Sequence, residues 1–398
     1  MNNRLNSLQP YPFEKLRGLL ASAQPQATGL PLIDLSIGEP KHDSPLLAKQ
    51  AMTDSLEGLS GYPPTKGSDQ LRQVIATWLE NRYGLPKVDP HTQVLPVLGS
   101  REGLFAFAQV VVDSDKGGWV VCPNPFYQIY EGAALLAGAK PYYVNGEAAN
   151  NFLSDWGSVP EDVWRDTQLL YVCSPGNPAG GVMGIEDWRA LFALADKHDF
   201  VIASDECYSE IYLDESAPPM GGLQAAHLLG RTDFRRLVTF SSLSKRSNLP
   251  GLRSGLVAGD ASLLKAFLLY RTYHGSAMSP IVAAASIAAW QDEAHVKANR
   301  QAYREKFDAV LEILSPVLDV KRPDASFYLW ASTPIDDAQF THDLLDKYAV
   351  RVLPGSYVSR HAHGTNPGQQ RIRIALVAPL AQCVEGAKRI AAYTQSIV

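Results

Sequence analysis

The stretch TFSSLSKRSNLPGLRSG, residues 239–255, decides how this chain is read. The apolar run Leu237 to Phe240 reads as a short strand. It empties into serines and Lys245, then a Pro-Gly turn, with Arg253 eight residues on. An amine set beside small hydroxyls and a second cation is costly to bury without a purpose. The combination suits a nucleophilic amine that forms a Schiff base with a carbonyl, next to a site for a dianion such as phosphate. A single lysine after a strand is more often a solvated loop residue, so the reading depends on what the other strand ends deliver.

Working outward, apolar strand-like runs occupy 93–98, 119–122, 169–173, 200–204, 237–240 and 255–258. Helical patterns at 100–112, 127–137 and 185–198 lie between them. This alternation predicts an α/β fold with a mostly parallel central sheet flanked by helices. After Ser279 the character changes. Helices are expected at 279–290, 295–314 and 338–348, and short strands at 327–330, 350–353 and 371–375, which make a smaller α+β domain. In the helix at 295–314, Val296, Tyr303, Phe307, Val310, Leu311 and Leu314 recur at helical spacing and read as core. The expected division is 1–45 as an N-terminal arm and part of the small domain, 46–284 as the large domain, and 285–398 as the small C-terminal domain.

Composition narrows the function classes. The chain has 398 residues, 46% hydrophobic and 19% charged, with net charge −5, so neither nucleic acid nor an anionic membrane is an expected partner. No signal-like apolar core opens the chain and no membrane-length apolar run occurs, so a cytoplasmic location is expected. Cys122, Cys173, Cys207 and Cys383 are far apart and form no C-x-x-C pair, which fits reduced thiols. His361 and His363 lie in a Gly/Asn/Pro loop with no completing cysteine or carboxylate cluster, so no metal is expected.

Three strand ends deliver polar residues in chain order. LLYVCSPGNPAG, 169–180, puts Asn177 in a turn; FVIASDECY, 200–208, puts Asp205 at a strand end with Tyr208 three residues later; Lys245 follows the third. Ligands of open α/β sheets collect beyond the carboxyl ends of strands, so these side chains are expected to converge on one ligand. VLGSREG, 97–103, adds a glycine running into a helix start, where free N–H groups favour an anion, although in isolation a plain serine cap is the better explanation. No P-loop and no G-x-G-x-x-G occurs, which argues against a nucleotide. Taken singly, Asp205 reads as a helix cap, Tyr127 and Tyr208 as packed aromatics and Arg373 as a strand arginine; jointly and in this order those readings need several coincidences.

The pattern Asn-Pro-x-Gly, Asp-x-x-Tyr and Ser-x-x-Lys with an arginine eight further on resembles the fold-type I pyridoxal 5′-phosphate (PLP) enzymes, class I aminotransferase branch, over essentially the whole chain. The resemblance implies that Lys245 is the amine joined to the cofactor aldehyde. It implies that Asp205 pairs with the pyridine nitrogen, that Tyr208 and Asn177 bond the phenolic oxygen, and that Tyr127 stacks on the ring. Ser100, Arg101, Ser242 and Arg253 would hold the phosphate. Tyr62 would reach the phosphate of a second subunit, implying a homodimer with shared sites. Arg373 would grip the substrate α-carboxylate, and Gly38 belongs to the segment that closes over it. One departure is Ala179, where the family usually has threonine; it puts only local loop bonding in doubt.

Five further stretches, PYPFEKLR (10–17), SIGEPKH (36–42), NPFYQIYEG (124–132), SKRSNLPGLR (244–253) and LYRTYHG (269–275), are similar to the bacterial succinyldiaminopimelate aminotransferases. That likeness implies glutamate as amino donor, an N-succinylated keto acid as acceptor, and ping-pong turnover in diaminopimelate and lysine synthesis. A second cation is then expected for the distal arm; Arg271, Arg101 and Arg246 are the candidates and Arg271 the choice. A transaminase for another amino acid, or a lyase on the same scaffold, is the alternative. The S-x-x-K of penicillin-binding enzymes is also met at Ser242, but no Lys-Thr-Gly or Ser-Asp-Asn follows. An aminotransferase-like sensor domain of a transcription regulator would need a DNA-binding module, and no basic helix-turn-helix segment is seen.

Overall fold

A computed structural model describes residues 1–397. Strands, in chain order, are β1 (Ile33–Asp34), β2 (Val94–Val97), β3 (Trp119–Asn124), β4 (Lys140–Asn145), β5 (Thr167–Cys173), β6 (Val201–Asp205), β7 (Leu237–Ser242), β8 (Gly255–Gly259), β9 (Tyr328–Ser332), β10 (Val350–Arg351), β11 (Leu353–Pro354) and β12 (Arg371–Ala375). Seven of them form one sheet in the order β2-β8-β7-β6-β5-β3-β4. The run β7-β6-β5-β3-β4 is parallel, and β8 lies antiparallel between β7 and β2. Fold-type I architecture, a mostly parallel sheet flanked by helices, is therefore what the alternating pattern builds.

The strands are apolar because both faces of the sheet are covered. Val120 and Cys122 on β3 join one core cluster with Tyr171 and Phe240, while Val121 joins the other with Leu170, Ile202 and Trp188. Each buried aliphatic or aromatic side chain of this kind contributes about 1.5–3 kcal/mol. Helices Ser100–Val111, Ile129–Ala137 and Ala261–His274 carry residues of one cluster; Asp69–Tyr83, Ile185–His198 and Pro280–Gln291 carry residues of the other.

A second body of structure surrounds β9, β11 and β12, which pair antiparallel in the order β11-β12-β9. β1 pairs in parallel with β10, so the N-terminal arm is stitched to the C-terminal region. Ile33, Leu35, Phe307, Leu314, Ile374 and Tyr393 share its core, supplied by helices Ala294–Leu314, Asp337–Tyr348 and Leu380–Ile397. The expected single strand at 350–353 is two short strands in two different sheets, because Val352 breaks the pairing between them. β4 escapes the sequence reading: it is a partly exposed edge strand, so no continuous apolar run marks it.

The sheet register decides where the chemistry lies. Asp205 is level with Cys173 on β5 and with Phe240 on β7. The turns that follow these positions carry Asn177 and Lys245. β8 runs the other way, so Arg253 enters it at the same edge where β2 leaves through Gly99.

Candidate active site

A cavity of about 490 Å³ opens at that edge. Its lining includes Gly38, Ser100, Arg101, Tyr127, Asn177, Asp205, Tyr208, Ser242, Lys245, Arg253 and Arg373. Two of the thirteen residues singled out from the sequence are absent from it, Tyr62 and Arg271. Tyr62 is fully exposed, away from this cavity.

Lys245 lies in the short helix Leu243–Arg246, whose N-cap is Ser242. Its Nζ donates to the Gly38 carbonyl and lies 5.4 Å from the centre of the Phe327 ring. Burial brings the amine down to about 8; Arg373 and Arg101 push the same way, against Cys207 and Glu39. Asp205 is buried at the end of β6, where it accepts from the Tyr130 hydroxyl at 2.7 Å and the Cys207 N–H at 3.2 Å. Desolvation raises its carboxyl above the ordinary value, opposed by those hydrogen bonds and by Lys245. Tyr208 shares a hydroxyl contact of 3.1 Å with Tyr328.

The anion cradle is built from backbone. Gly99, with φ 84°, caps helix Ser100–Val111, and its position is left-handed and crowded: a Cβ there would collide with the Arg253 guanidinium. At Gly255 a Cβ would meet the Ser241 carbonyl at 2.5 Å and the Ser100 nitrogen at 3.4 Å. Arg253, itself left-handed with φ 54°, donates to the Pro250 carbonyl at 2.8 Å and reaches Ser244 Oγ and the Leu98 carbonyl at 3.4 Å. Ser242 Oγ meets Ser244 Oγ at 2.9 Å. Helix-start amides, two hydroxyls and a guanidinium thus face one place, which suits a phosphate.

Arg373 sits on the central strand of the small sheet, 5% exposed. Nη1 donates to Asn177 Oδ1 at 3.1 Å and Nη2 to the Ser36 carbonyl at 2.8 Å, while Nε is buried without a partner. The Tyr328 ring centre lies 4.3 Å from the guanidinium carbon. Tyr328 also crowds Gly38, where a Cβ would collide with its hydroxyl; only glycine lets the 36–38 segment lie this close. Arg101 donates from Nε to the Tyr127 hydroxyl at 2.7 Å and from Nη2 to Tyr11 at 3.4 Å.

Among the described residues, Lys245, Arg101, Arg253 and Arg373 form no salt bridge with a carboxylate, although all four line one cavity. Such a surplus of cations awaits an anionic ligand. The donor set fits PLP: an anion cradle at one end, a buried carboxylate at a strand end, a lysine held partly unprotonated near neutral pH, and Tyr127 to flank a ring.

Arg271 corrects the sequence expectation. It is 1% exposed and does not line the cavity. Its Nη1 pairs with Glu102 at 2.5 Å and Nη2 donates to the Ser276 carbonyl at 3.4 Å, so it is committed to its neighbours and does not face the cavity. Arg246 is likewise engaged, with Glu293 at 2.5 Å between Trp78 and Trp290. Sequence reasoning missed Tyr130, Tyr11, Ser36 and Tyr328. Tyr130 stands three residues from Tyr127, one helical turn on, which is the signal that was available.

Residues 31–390 match the family profile described as Aminotransferase class I and II. An LL-diaminopimelate aminotransferase of Dehalococcoides mccartyi is 32% identical over 399 residues, covering 98% of each chain. Among solved structures, an aminotransferase from Neisseria meningitidis superposes with TM-score 0.95 at 52% identity, over 99% of this chain and 100% of that one. A probable N-succinyldiaminopimelate aminotransferase from Thermus thermophilus gives TM-score 0.85 at 27% identity, over 96% and 99%. With the cavity chemistry and these matches in agreement over nearly its full length, the chain belongs to the PLP-dependent class I and II aminotransferases.

Proposed function

We propose that this enzyme moves an amino group between glutamate and a long dicarboxylic acid of the diaminopimelate type, with the N-succinylated compound as the preferred partner. The observation that carries this is a guanidinium beyond Arg253 of the anion cradle and Arg373: Arg101 also lines the cavity and has no carboxylate partner among the described residues. Arginine matches a carboxylate as a planar fork, so two of them suit a substrate with an α-carboxylate and a distant anionic arm. Arg373 is the partner for the α-carboxylate and Arg101, flanked by Tyr127 and Tyr11, the partner for the distal end.

Bound PLP supplies an electron sink for the substrate carbanion. The chain's own groups do the rest. Asp205 keeps a proton on the pyridine nitrogen, and burial among Tyr130 and the Cys207 amide holds the carboxylate in place. With PLP bound, the Lys245 amine, once displaced by substrate, would carry the proton from the substrate Cα to the C4′ carbon of the cofactor, work worth about 10²–10⁴-fold. Asn177, tied to Arg373, links the carboxylate grip to the ring. Ser36 and Gly38 close the segment over the cavity and shed water from it. A homodimer in which Tyr62 completes the neighbouring subunit's phosphate site is part of this reading.

A second reading is favoured by the Dehalococcoides relative: free LL-diaminopimelate as the amino compound. The two are separated by comparing kcat/KM for N-succinyl-LL-diaminopimelate and LL-diaminopimelate as donors to 2-oxoglutarate. A ratio above about tenfold for the succinylated donor supports the first; the reverse ratio selects the second. Glutamate alone should release one 2-oxoglutarate per site. Release of ammonia and a keto acid from an amino acid would instead identify a lyase.

A further inference from the structure

Lys306 is a buried cation that the reaction does not use. It lies within helix Ala294–Leu314, 2% exposed, and forms no salt bridge among the described residues. An ammonium taken out of water needs good acceptors in compensation. Nζ contacts His42 Nε2 at 2.6 Å and donates to the Val377 carbonyl at 3.4 Å. His42 Nδ1 in turn meets Asn299 Oδ1 at 2.5 Å, an oxygen that also accepts from Asn248 Nδ2 at 3.1 Å. Asn299 Nδ2 donates to the Lys245 carbonyl at 3.4 Å.

Donor logic fixes the direction of this chain. An ammonium has no lone pair, so Nε2 of His42 accepts and its proton sits on Nδ1. The order is Lys306 to His42, His42 to Asn299, Asn299 to the Lys245 backbone, and it requires a neutral imidazole. Burial and the Lys306 charge hold His42 below its ordinary value against Asn299 and Asp43, while burial brings Lys306 down to about 8 against Cys383. The Tyr303 ring packs against His42 at 4.6 Å.

His42 stands four residues beyond Gly38. The segment before it gives the Ser36 carbonyl to Arg373 and the Gly38 carbonyl to Lys245. We propose that Lys306, His42 and Asn299 are positioning residues, a hydrogen-bonded latch that sets the 36–42 segment over the cavity and steadies the turn carrying Lys245. The latch joins three separate parts of the chain: the N-terminal arm, the lysine turn and the long helix that reaches the small sheet. It rests on Lys245 and Arg373 serving the reaction as proposed.

Lys306→Met keeps length and bulk but removes the donor. In PLP-free protein, amide exchange across residues 33–45, read by mass spectrometry, is expected to rise about tenfold. In PLP-loaded protein the pH midpoint of the visible absorbance is expected to move up by about half a unit, as water reaches the lysine nitrogen. KM for glutamate should rise by a larger factor than kcat falls. Lys306→Arg should recover part of each change, and adding His42→Leu to Lys306→Met should add little to either single effect. A folded Lys306→Met with wild-type exchange and a wild-type midpoint would overturn the latch. Should Lys306→Met fail to fold, His42→Leu alone, at a half-buried position, is read by the same measures. A wild type that forms no visible chromophore with PLP would instead remove the site assignment, and the exchange measurement would still decide the latch.

Discussion

Lys245 and Asp205 are driven toward their neutral forms by the same cause, loss of water, and the Lys245 charge partly restores the Asp205 carboxylate. The nucleophile toward an aldehyde is the neutral amine, so PLP uptake by the apoenzyme should rise with pH and level off above about 8, not near the 10.5 of an ordinary lysine. Stopped-flow absorbance checks this; a rate still climbing at pH 10 would contradict it. The stability sign follows. Between about 8 and 10.5 the unfolded chain keeps a proton that folded Lys245 has released, so this residue's contribution to stability improves as pH rises through that window. Tyr130 makes a second test. Tyr130→Phe removes a donor to ionised Asp205, an interaction worth about 1.5–3 kcal/mol, so the glutamate half-reaction should slow about tenfold to a hundredfold. Single-turnover rates measure it, and an unchanged rate would show that Asp205 does not depend on that hydroxyl.

At the scale of elements, the cradle is a turn between β2 and helix Ser100–Val111 held from both sides. Glu102 accepts the Leu98 N–H at 3.0 Å, Arg253 donates to the Leu98 carbonyl, and Arg271 holds Glu102 from helix Ala261–His274. Breaking a fully buried pair costs about 3–5 kcal/mol and this one, with Glu102 partly exposed, costs less, so Arg271→Met should lower the urea midpoint and weaken PLP binding together while leaving the preference among keto acids unchanged. A changed substrate preference with normal PLP affinity would return Arg271 to the substrate. Gly99→Ala should also weaken PLP, through its left-handed backbone and the displaced Arg253. Strand ends were legible because both faces of the sheet are covered, so β5, β6 and β7 are plain apolar runs with polar residues just beyond them. Arg271 was misread for a physical reason. The sequence shows a polar stretch at 270–276, but whether a guanidinium faces a cavity or a neighbouring helix is set by Glu102, far away in the chain. The same holds for Lys306, whose partners come from the N-terminal arm and from Val377.

At the scale of the whole molecule, the large sheet supplies the lysine, the acid and the cradle, while the small sheet supplies Arg373, and the 36–42 segment bridges them. Leu56, Leu59 and Tyr62 lie close together in the chain and are exposed, as are Leu269 and Tyr273; the proposed homodimer would cover large apolar groups of this kind. Sedimentation should therefore give about twice the 43.5 kDa chain mass, and Tyr62→Phe should weaken PLP without dissociating the dimer. A monomer that binds PLP at full strength would contradict the shared site. No helix among the described residues is long and apolar enough to cross a membrane, and no group of three or more His, Cys, Asp or Glu side chains there is arranged to hold a metal. The most direct test of the central claim is to reduce the PLP-loaded protein with borohydride and map the label by mass spectrometry. The account predicts a pyridoxyl group on the peptide containing Lys245 and loss of that label in Lys245→Ala; a label on a different lysine, or none, would contradict it.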